Sequence, residues 1–285
     1  MQFSAKSSAP FSAVILAADR SGGDPVARAA GVASKSFVPV GGKPMVLRVL
    51  DALGESQEVN YRLLCGPPAE RLGRLPELQA RIDSVNIGWI ENQATPSTSA
   101  AHALRTLADK IPVLVTTADH ALLSAQIVDY FCARARTSGC DVVVGLASHD
   151  VVKAAYPQTS RTAIKFRDNT YCSCNLFGFL TPQAEVAAEF WRKVERERKK
   201  PLRMMRSLGW MMVLRYLLRR LALTDGLESI SRRLGLKAGV VILPFPEAAV
   251  DVDTIEDWKL AQAIVAEQRS SPGQMISNDH DRRSC

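Results

Sequence analysis

The chain has 285 residues, 47% of them hydrophobic, which is enough to bury a full core and excludes disorder over most of its length. A formal net charge of +7 points to an anionic partner, whether a nucleotide, a nucleic acid or an acidic membrane surface. The six cysteines form no C-x-x-C pair and no zinc-like spacing with the four histidines, so a zinc module is excluded and reduced thiols are expected.

After an N-terminal extension over residues 1–11, strand and helix signals alternate. SAVILAA (12–18), YRLLCG (61–66), SVNIGWIE (84–91), PVLVTTAD (112–119) and CDVVVGLA (140–147) are short, rich in β-branched residues and ended by Gly, Pro or Asp, as strands are. Helical patterns begin between them at Met45, Ala69, Ser97 and Ala125. Strands alternating with helices at this spacing predict an α/β domain with a mixed, mainly parallel sheet.

The second half is less regular. RTAIKFRD and YCSCNLFGFLTP read as strands flanking the turn RDNT, followed by a long basic helical region from Pro182 to about Leu221. GVVILPFP reads as the last strand, and AAVDVDTIEDWKLAQAIVAEQ as a short strand, a loop and a closing helix. The prediction is a single domain over 12–268 with a helical insertion at about 182–238 and a loose polar tail over 269–285. The chain has no run of about 18 uncharged apolar residues, and the first apolar run is too short for a secretion signal, so a cytoplasmic protein is expected.

The stretch from Val14 to Met45 is VILAADRSGGDPVARAAGVASKSFVPVGGKPM. A strand that ends in a Gly-bearing loop presents backbone N–H groups to an anion at the carboxyl edge of an α/β sheet. Neither G-x-G-x-x-G nor G-x-x-x-x-G-K-[ST] is present, so a Rossmann or Walker site is not supported. On spacing alone, phosphate binding and a plain surface turn at SGGD are equal readings.

The same stretch resembles the signature of MobA-like nucleotidyltransferases and the related sugar-phosphate and polyol-phosphate cytidylyltransferases. Leu16, Ala17 and Ala18 match its strand end, Lys35 its lysine, and Gly42, Lys43, Pro44 and Met45 its closing G-x-P-[ML] element. LVTTADHALLS resembles the segment whose aspartate binds Mg²⁺, and VDVDTIEDWKLA the late segment that supplies a second ligand. The resemblance covers roughly the first 180 residues and the last forty before the tail, and leaves the basic middle outside. Asp19 stands where the pattern has glycine, and Ile255 where it has proline.

The resemblance implies the three-layer, GT-A-like nucleotide-diphospho-sugar transferase fold and an EC 2.7.7 type of reaction. An acceptor phosphate attacks the α-phosphate of an NTP, pyrophosphate leaves, and cations placed where charge develops lower the barrier. It puts Mg²⁺ on Asp119 with Asp251 or Asp253, and phosphate contact on Lys35. It puts nucleotide contacts on Leu16, Ala17, Ala18, Asp19, Arg20, Gly22, Gly23, Ser97, Thr98 and Ser99, and acceptor contacts on Arg161, Lys165 and Asn175.

Each assignment has a plainer alternative. Asp119 would cap the helix after its strand, and Asp253 the helix that opens DTIED, with Asp257 on a solvated first turn. Ser97, Thr98 and Ser99 would cap their own helix, and Lys35, Arg161 and Lys165 would be solvated. Leu-Ala-Ala is closer to the cytidylyltransferases, so CTP is favoured over GTP.

Between Arg192 and Arg220 there are eleven Lys or Arg against two Glu. Trp210, Met211, Met212, Leu214, Leu217, Leu218 and Leu221 interleave there with Arg215, Arg219 and Arg220. This is the composition of a basic amphipathic helix on an anionic bilayer, or of a core helix with its arginines in water. A lipid head group then joins phosphorylated small molecules as an acceptor class. No aromatic platform for nucleic acid is present. Two other functions stay open: a GT-A-type glycosyltransferase using the literal D-x-D at Asp251 to Asp253, and a non-catalytic membrane-surface protein on the same fold.

Overall fold

The computed structural model describes residues 9–19, 23–83, 86–159, 161–197 and 209–270. Its main sheet has eight strands: β1 (Phe11–Leu16), β4 (Val59–Cys65), β5 (Ile87–Ile90), β6 (Val113–Thr117), β7 (Val142–Ser148), β8 (Ala163–Lys165), β9 (Thr170–Phe179) and β10 (Ala238–Leu243). The order is β10-β7-β9-β6-β1-β4-β5, with β8 on β9. All neighbouring pairs among these are parallel except those of β9 with β6, β7 and β8. β2 (Pro39–Val40) and β3 (Lys43–Pro44) form a separate small ribbon.

β1 is buried along its whole length because both faces of the sheet are covered, which is why FSAVIL reads as a continuous apolar run. Its side chains alternate between two cores. Phe11, Ala13 and Ile15 pack with helices α2 (Met45–Glu55) and α6 (Ala125–Thr137), through Leu47, Leu50, Ile127 and Phe131. Val14 and Leu16 pack on the opposite face with α5 (Pro96–Thr106) and α8 (Glu185–Glu197), through Ala100, Ala103 and Ala188. The result is the three-layer arrangement expected from sequence. A third cluster joins α1 (Pro25–Ala29) to α11 (Ile255–Ser270) through Val26, Ala261 and Ile264, and it includes Val250 and Val252.

Several predicted elements change shape. The helix expected from Ala69 is two, α3 (Ala69–Leu72) and α4 (Pro76–Ile82), because Pro76 has no N–H to give and forces Leu75 out of the helical region, to φ −133° and ψ 83°. Lys35–Phe37 is a 3₁₀ turn, and of the apolar residues after it only Pro39–Val40 pair as a strand. The short strand expected in AAVDVD is absent; Pro246–Ala249 is a 3₁₀ turn and residues 250–253 are unpaired extended chain. Short helices α1 and α7 (His149–Ala155) were not anticipated; Asp24 caps α1 by accepting from Val26 and Ala27 N–H at 2.9 and 3.2 Å.

Between β9 and β10 lie α8, α9 (Trp210–Leu217) and α10 (Leu223–Leu234). β10 then returns to pair in parallel with β7. No helix among the described residues is long and apolar enough to cross a membrane.

Candidate active site

The loops that leave β1 and β6 emerge side by side, since the two strands pair in register from Ser12 with Val113 to Leu16 with Thr117. Ala17 N–H then bonds to Cys65 O at 2.9 Å and Ala18 is reached one residue later, while Ala118 N–H bonds to Leu16 O at 2.9 Å. This carboxyl edge is where parallel sheets bind ligands. Asp119 lies there, and it is not a helix cap: Ser124 caps α6 by accepting from Ile127 N–H.

A segment far away in sequence is pulled onto the same edge. Val252 is fully buried and its N–H bonds to Asp119 O at 3.0 Å. In an extended chain the side chains on either side of Val252 project the other way. Carboxylate oxygens of Asp119, Asp251 and Asp253 consequently lie within 4.8 Å of one another. Nor does Asp253 cap the last helix. Thr254 does, with its Oγ1 accepting Asp257 N–H at 3.1 Å. The buried Asp257 carboxylate reaches back to Asp253 N–H and Thr254 N–H at 3.2 and 3.0 Å, so Asp257 is a structural residue and not a solvated one.

Three carboxylates this close need compensating charge. Lys35 Nζ donates to Asp119 Oδ2 at 2.6 Å and to Asp253 Oδ1 at 2.7 Å. Burial works against charge on Lys35, yet the two carboxylates hold its pKa above the usual lysine range. Burial alone would raise Asp119, and the Lys35 ammonium beside it holds its carboxyl below the usual range instead. Asp119 Oδ1 is buried, and among the described residues no donor meets hydrogen-bond geometry to it, the Thr117 hydroxyl being the nearby polar group. Next to it, burial and the nearby Arg161 charge push the His120 imidazole down to about 4, so His120 is neutral.

Asp251 is held differently. Arg161, 9% exposed at its side chain, pairs with Asp251 Oδ1 and also donates to Ala249 O at 2.8 Å and Asp251 O at 2.6 Å. Asn175 Nδ2 donates to Asp251 Oδ2 at 2.9 Å. Asn175 sits at φ +49°, where the β7–β9 register shifts, and this bulge aims its amide at the site. The structure thus brings Arg161 and Asn175 to the carboxylate cluster, with the Arg161 guanidinium engaged in fixing the 249–251 loop. Lys165 is exposed on the β8–β9 hairpin.

A cleft of about 940 Å³ opens beside the end of β1; none of the three carboxylates lines it, and Asp19, which accepts Lys35 N–H, links it to the cluster. Ala18, Asp19 and Gly23 line one side, residues 92–98 a second, and Arg192, Lys193, Glu195 and Arg196 of α8 a third. Asp19 stands at the junction: its carboxylate lines the cleft, pairs with Arg71 and accepts Lys35 N–H at 2.7 Å. The departure from glycine at Asp19 therefore has a local role in fixing the lysine turn. Arg20 and Gly22 lie outside the described residues.

Of the three hydroxyls, Thr98 shares a capping box with Thr95, which is the true N-cap of α5. Ser99 Oγ accepts Gln93 N–H at 2.8 Å. Ser97 donates to the Glu195 carboxylate, which also accepts Ser97 N–H at 3.3 Å. Ser97 and Thr98 line the cleft and Ser99 supports it from behind. Thr95 was legible as a threonine before a first-turn proline. Arg71 and Glu195 had no local signal, because each meets its partner only across the fold.

A family model for the MobA-like NTP transferase domain matches residues 13–235. That match runs through the basic middle that the motif resemblance had left outside. The 2-C-methyl-D-erythritol 4-phosphate cytidylyltransferase of Prochlorococcus marinus (strain MIT 9313) is 25% identical over 164 residues, 55% of this chain and 72% of the relative. Among solved structures, a hypothetical transferase from Thermus thermophilus superposes with a TM-score of 0.73 and 28% identity, covering 87% of this chain and 99% of that one. The 4-diphosphocytidyl-2C-methyl-D-erythritol synthase of Anaerococcus prevotii DSM 20548 shares the fold at a TM-score of 0.54 and 15% identity, over 90% and 96% of the two chains. The family match covers most of the sequence, and the chain belongs to the MobA-like NTP transferase family of nucleotidyltransferases.

Proposed function

We propose that the protein transfers an NMP group, from CTP in preference to GTP, to a phosphorylated acceptor with release of pyrophosphate. The observation that carries this reading is the Lys35 ammonium held between Asp119 and Asp253 at the carboxyl edge, tied through its own N–H to Asp19, which lines the cleft. An oxygen of the acceptor phosphate forms the new bond to the α-phosphorus as the bond to the pyrophosphate oxygen breaks. No side-chain nucleophile is needed, so the chain's task is to hold two anions in line and offset their charge.

The residues present suit a hard divalent cation such as Mg²⁺. The donor set is all carboxylate, the buried Asp119 Oδ1 has no donor in hydrogen-bond geometry among the described residues, and an ammonium already stands where positive charge is required. Asp119 and Asp253 are the proposed ligands, with Asp251 turned to Arg161 and Asn175 as the positioning member. When bound, the ion would neutralise charge developing on phosphate oxygens. Lys35 would then move its charge from the carboxylates to the phosphates, and Ala17, Ala18, Asp19, Gly23, Ser97 and Thr98 would receive the nucleotide. The lean to CTP rests on Leu16-Ala17-Ala18 and on the cytidylyltransferase of Prochlorococcus.

The test is a thermal-shift panel of CTP, GTP, UTP and ATP, each with and without Mg²⁺, on the wild type and on Asp119→Ala. Stabilisation by CTP that requires Mg²⁺ and is lost in the variant is expected. A Mg²⁺-dependent shift with a different triphosphate would reassign the base, and no such shift with any of the four would overturn the reading.

A further inference from the structure

We propose that the outward face of α9 docks on an anionic lipid bilayer and thereby presents the carboxyl edge of the sheet, with its site, to the membrane surface. Trp210, Met211, Leu214, Leu217 and Leu218 fall at i, i+1, i+4, i+7 and i+8, which is one face of a helix. They are 62%, 52%, 39%, 68% and 55% exposed, and no residue of α9 is buried. The stripe that an ordinary helix turns to the core is turned here to solvent. Among the described residues nothing covers it.

The opposite face explains the orientation. Tyr216 meets Phe166 edge to face at 6.1 Å, Phe166 meets Tyr171 at 6.2 Å, and Arg215 pairs with Asp225 of α10 at 2.7 Å. α9 is therefore held by its half-buried inner side onto the β8–β9 hairpin. That hairpin extends past the carboxyl end of β7, where Ser148 pairs with Tyr171. The same hairpin runs back to Arg161 and Asn175, so the apolar stripe and the carboxylate cluster share one edge of the sheet.

Charge selects the occupant. Arg167 N–H bonds to Leu221 O at 2.8 Å, which brings the hairpin tip beside the end of α9. Exposed Lys165, Arg167, Arg219 and Arg220 gather at that end, while Asp168 is used in bonding Leu223 N–H at 3.1 Å. An apolar stripe with Trp and Met, bordered by cations, matches the boundary between acyl chains and anionic head groups. A second copy of the chain fits less well. Two-fold pairing through a helix about 12 Å long would set like cations against each other, on far less area than the roughly 800 Å² per partner of a stable interface.

The experiment is co-sedimentation of the full chain with phosphatidylcholine vesicles, with and without phosphatidylglycerol, at low and high salt. The wild type is expected to sediment with the anionic vesicles and to be released by salt. Leu214→Glu with Leu217→Glu should abolish sedimentation, and Arg219→Glu with Arg220→Glu should weaken it roughly tenfold or more. Both double variants should keep the wild-type melting temperature and Mg²⁺-dependent nucleotide response, which separates loss of docking from loss of the site. Absence of wild-type sedimentation at low salt, or unchanged sedimentation of Leu214→Glu with Leu217→Glu, would overturn the proposal. So would a vesicle-independent dimer in sedimentation velocity that Leu217→Glu dissociates, because the face would then belong to a second copy.

Discussion

The Lys35 ammonium lies 2.6 Å from Asp119 Oδ2, an ion pair whose side chains are only 11% and 20% exposed, and it locks the loop after β1 to the end of β6. Without an internal cation, Asp119 would face the second carboxylate, Asp253, across a poorly solvated gap. The pair sits among three carboxylates at the carboxyl edge, so in the proposed function Lys35 and a divalent cation would compete for one position.

That competition is measurable. Lys35→Met keeps the length and removes the charge, and is expected to cost about 2–3 kcal/mol in the absence of metal; a fully buried pair would cost more, but the Asp253 side chain is 41% exposed. Millimolar Mg²⁺ should raise the melting temperature of the variant more than that of the wild type. Differential scanning fluorimetry with chelator and with Mg²⁺ decides it, and equal responses would rule out a shared position.

Arg161 is expected to behave as a positioning residue. It bonds two main-chain carbonyls and one carboxylate of the 249–251 loop from two separate nitrogens of one rigid plane, a spacing that the single nitrogen of an ammonium does not reproduce. Arg161→Lys should therefore fail to rescue, losing about 2 kcal/mol or more, as should Arg161→Met. Both variants should show a weakened Mg²⁺-dependent nucleotide shift. Wild-type stability in Arg161→Lys would show that the planar fork is not required.

Asn175 tests the bulge. At φ +49° a β-branched side chain is strained, so Asn175→Val is expected to destabilise by about 2 kcal/mol, while Asn175→Gly should stay within about 1 kcal/mol of the wild type. Urea unfolding gives both numbers. Transfer activity should fall in each, because each loses the amide that holds Asp251 Oδ2.

The thiols give a pH prediction. Burial pushes the Cys65 thiol up to about 11, against a Ser99 contact that lowers it, and burial also raises Cys132, Cys172 and Cys174. A raised thiol pKa means less thiolate at a given pH, so these four should resist iodoacetamide in the native protein at pH 8. Cys140, which is only partly covered, should react first among the described cysteines. Peptide mapping after brief alkylation checks the order, and early labelling of Cys65 would contradict it.

The regular part of the fold was legible because its signals are local. β1, β4, β6 and β7 are apolar runs bounded by turn residues, whereas Lys35 and Asp119 were singled out only by the resemblance of the segments that hold them to a family signature. Local chemistry misread the remainder. Asp253 and Asp119 have the composition of helix caps, and only the structure shows Thr254 and Ser124 in that role, leaving the carboxylates to the site.

Sequence by itself determined the alternation of strands and helices, the family of the chain and the presence of a basic apolar segment, since periodicity and short motifs are carried by neighbours along the chain. Tertiary structure decided the rest: that Val252 is buried against the end of β6 and so sets Asp253 beside Lys35, and that α9 turns its apolar stripe outward. Those outcomes depend on which surfaces meet across the sheet. An amphipathic pattern has the same period whether its apolar side faces a core or the solvent, and only the packing of Tyr216 against Phe166 fixes which.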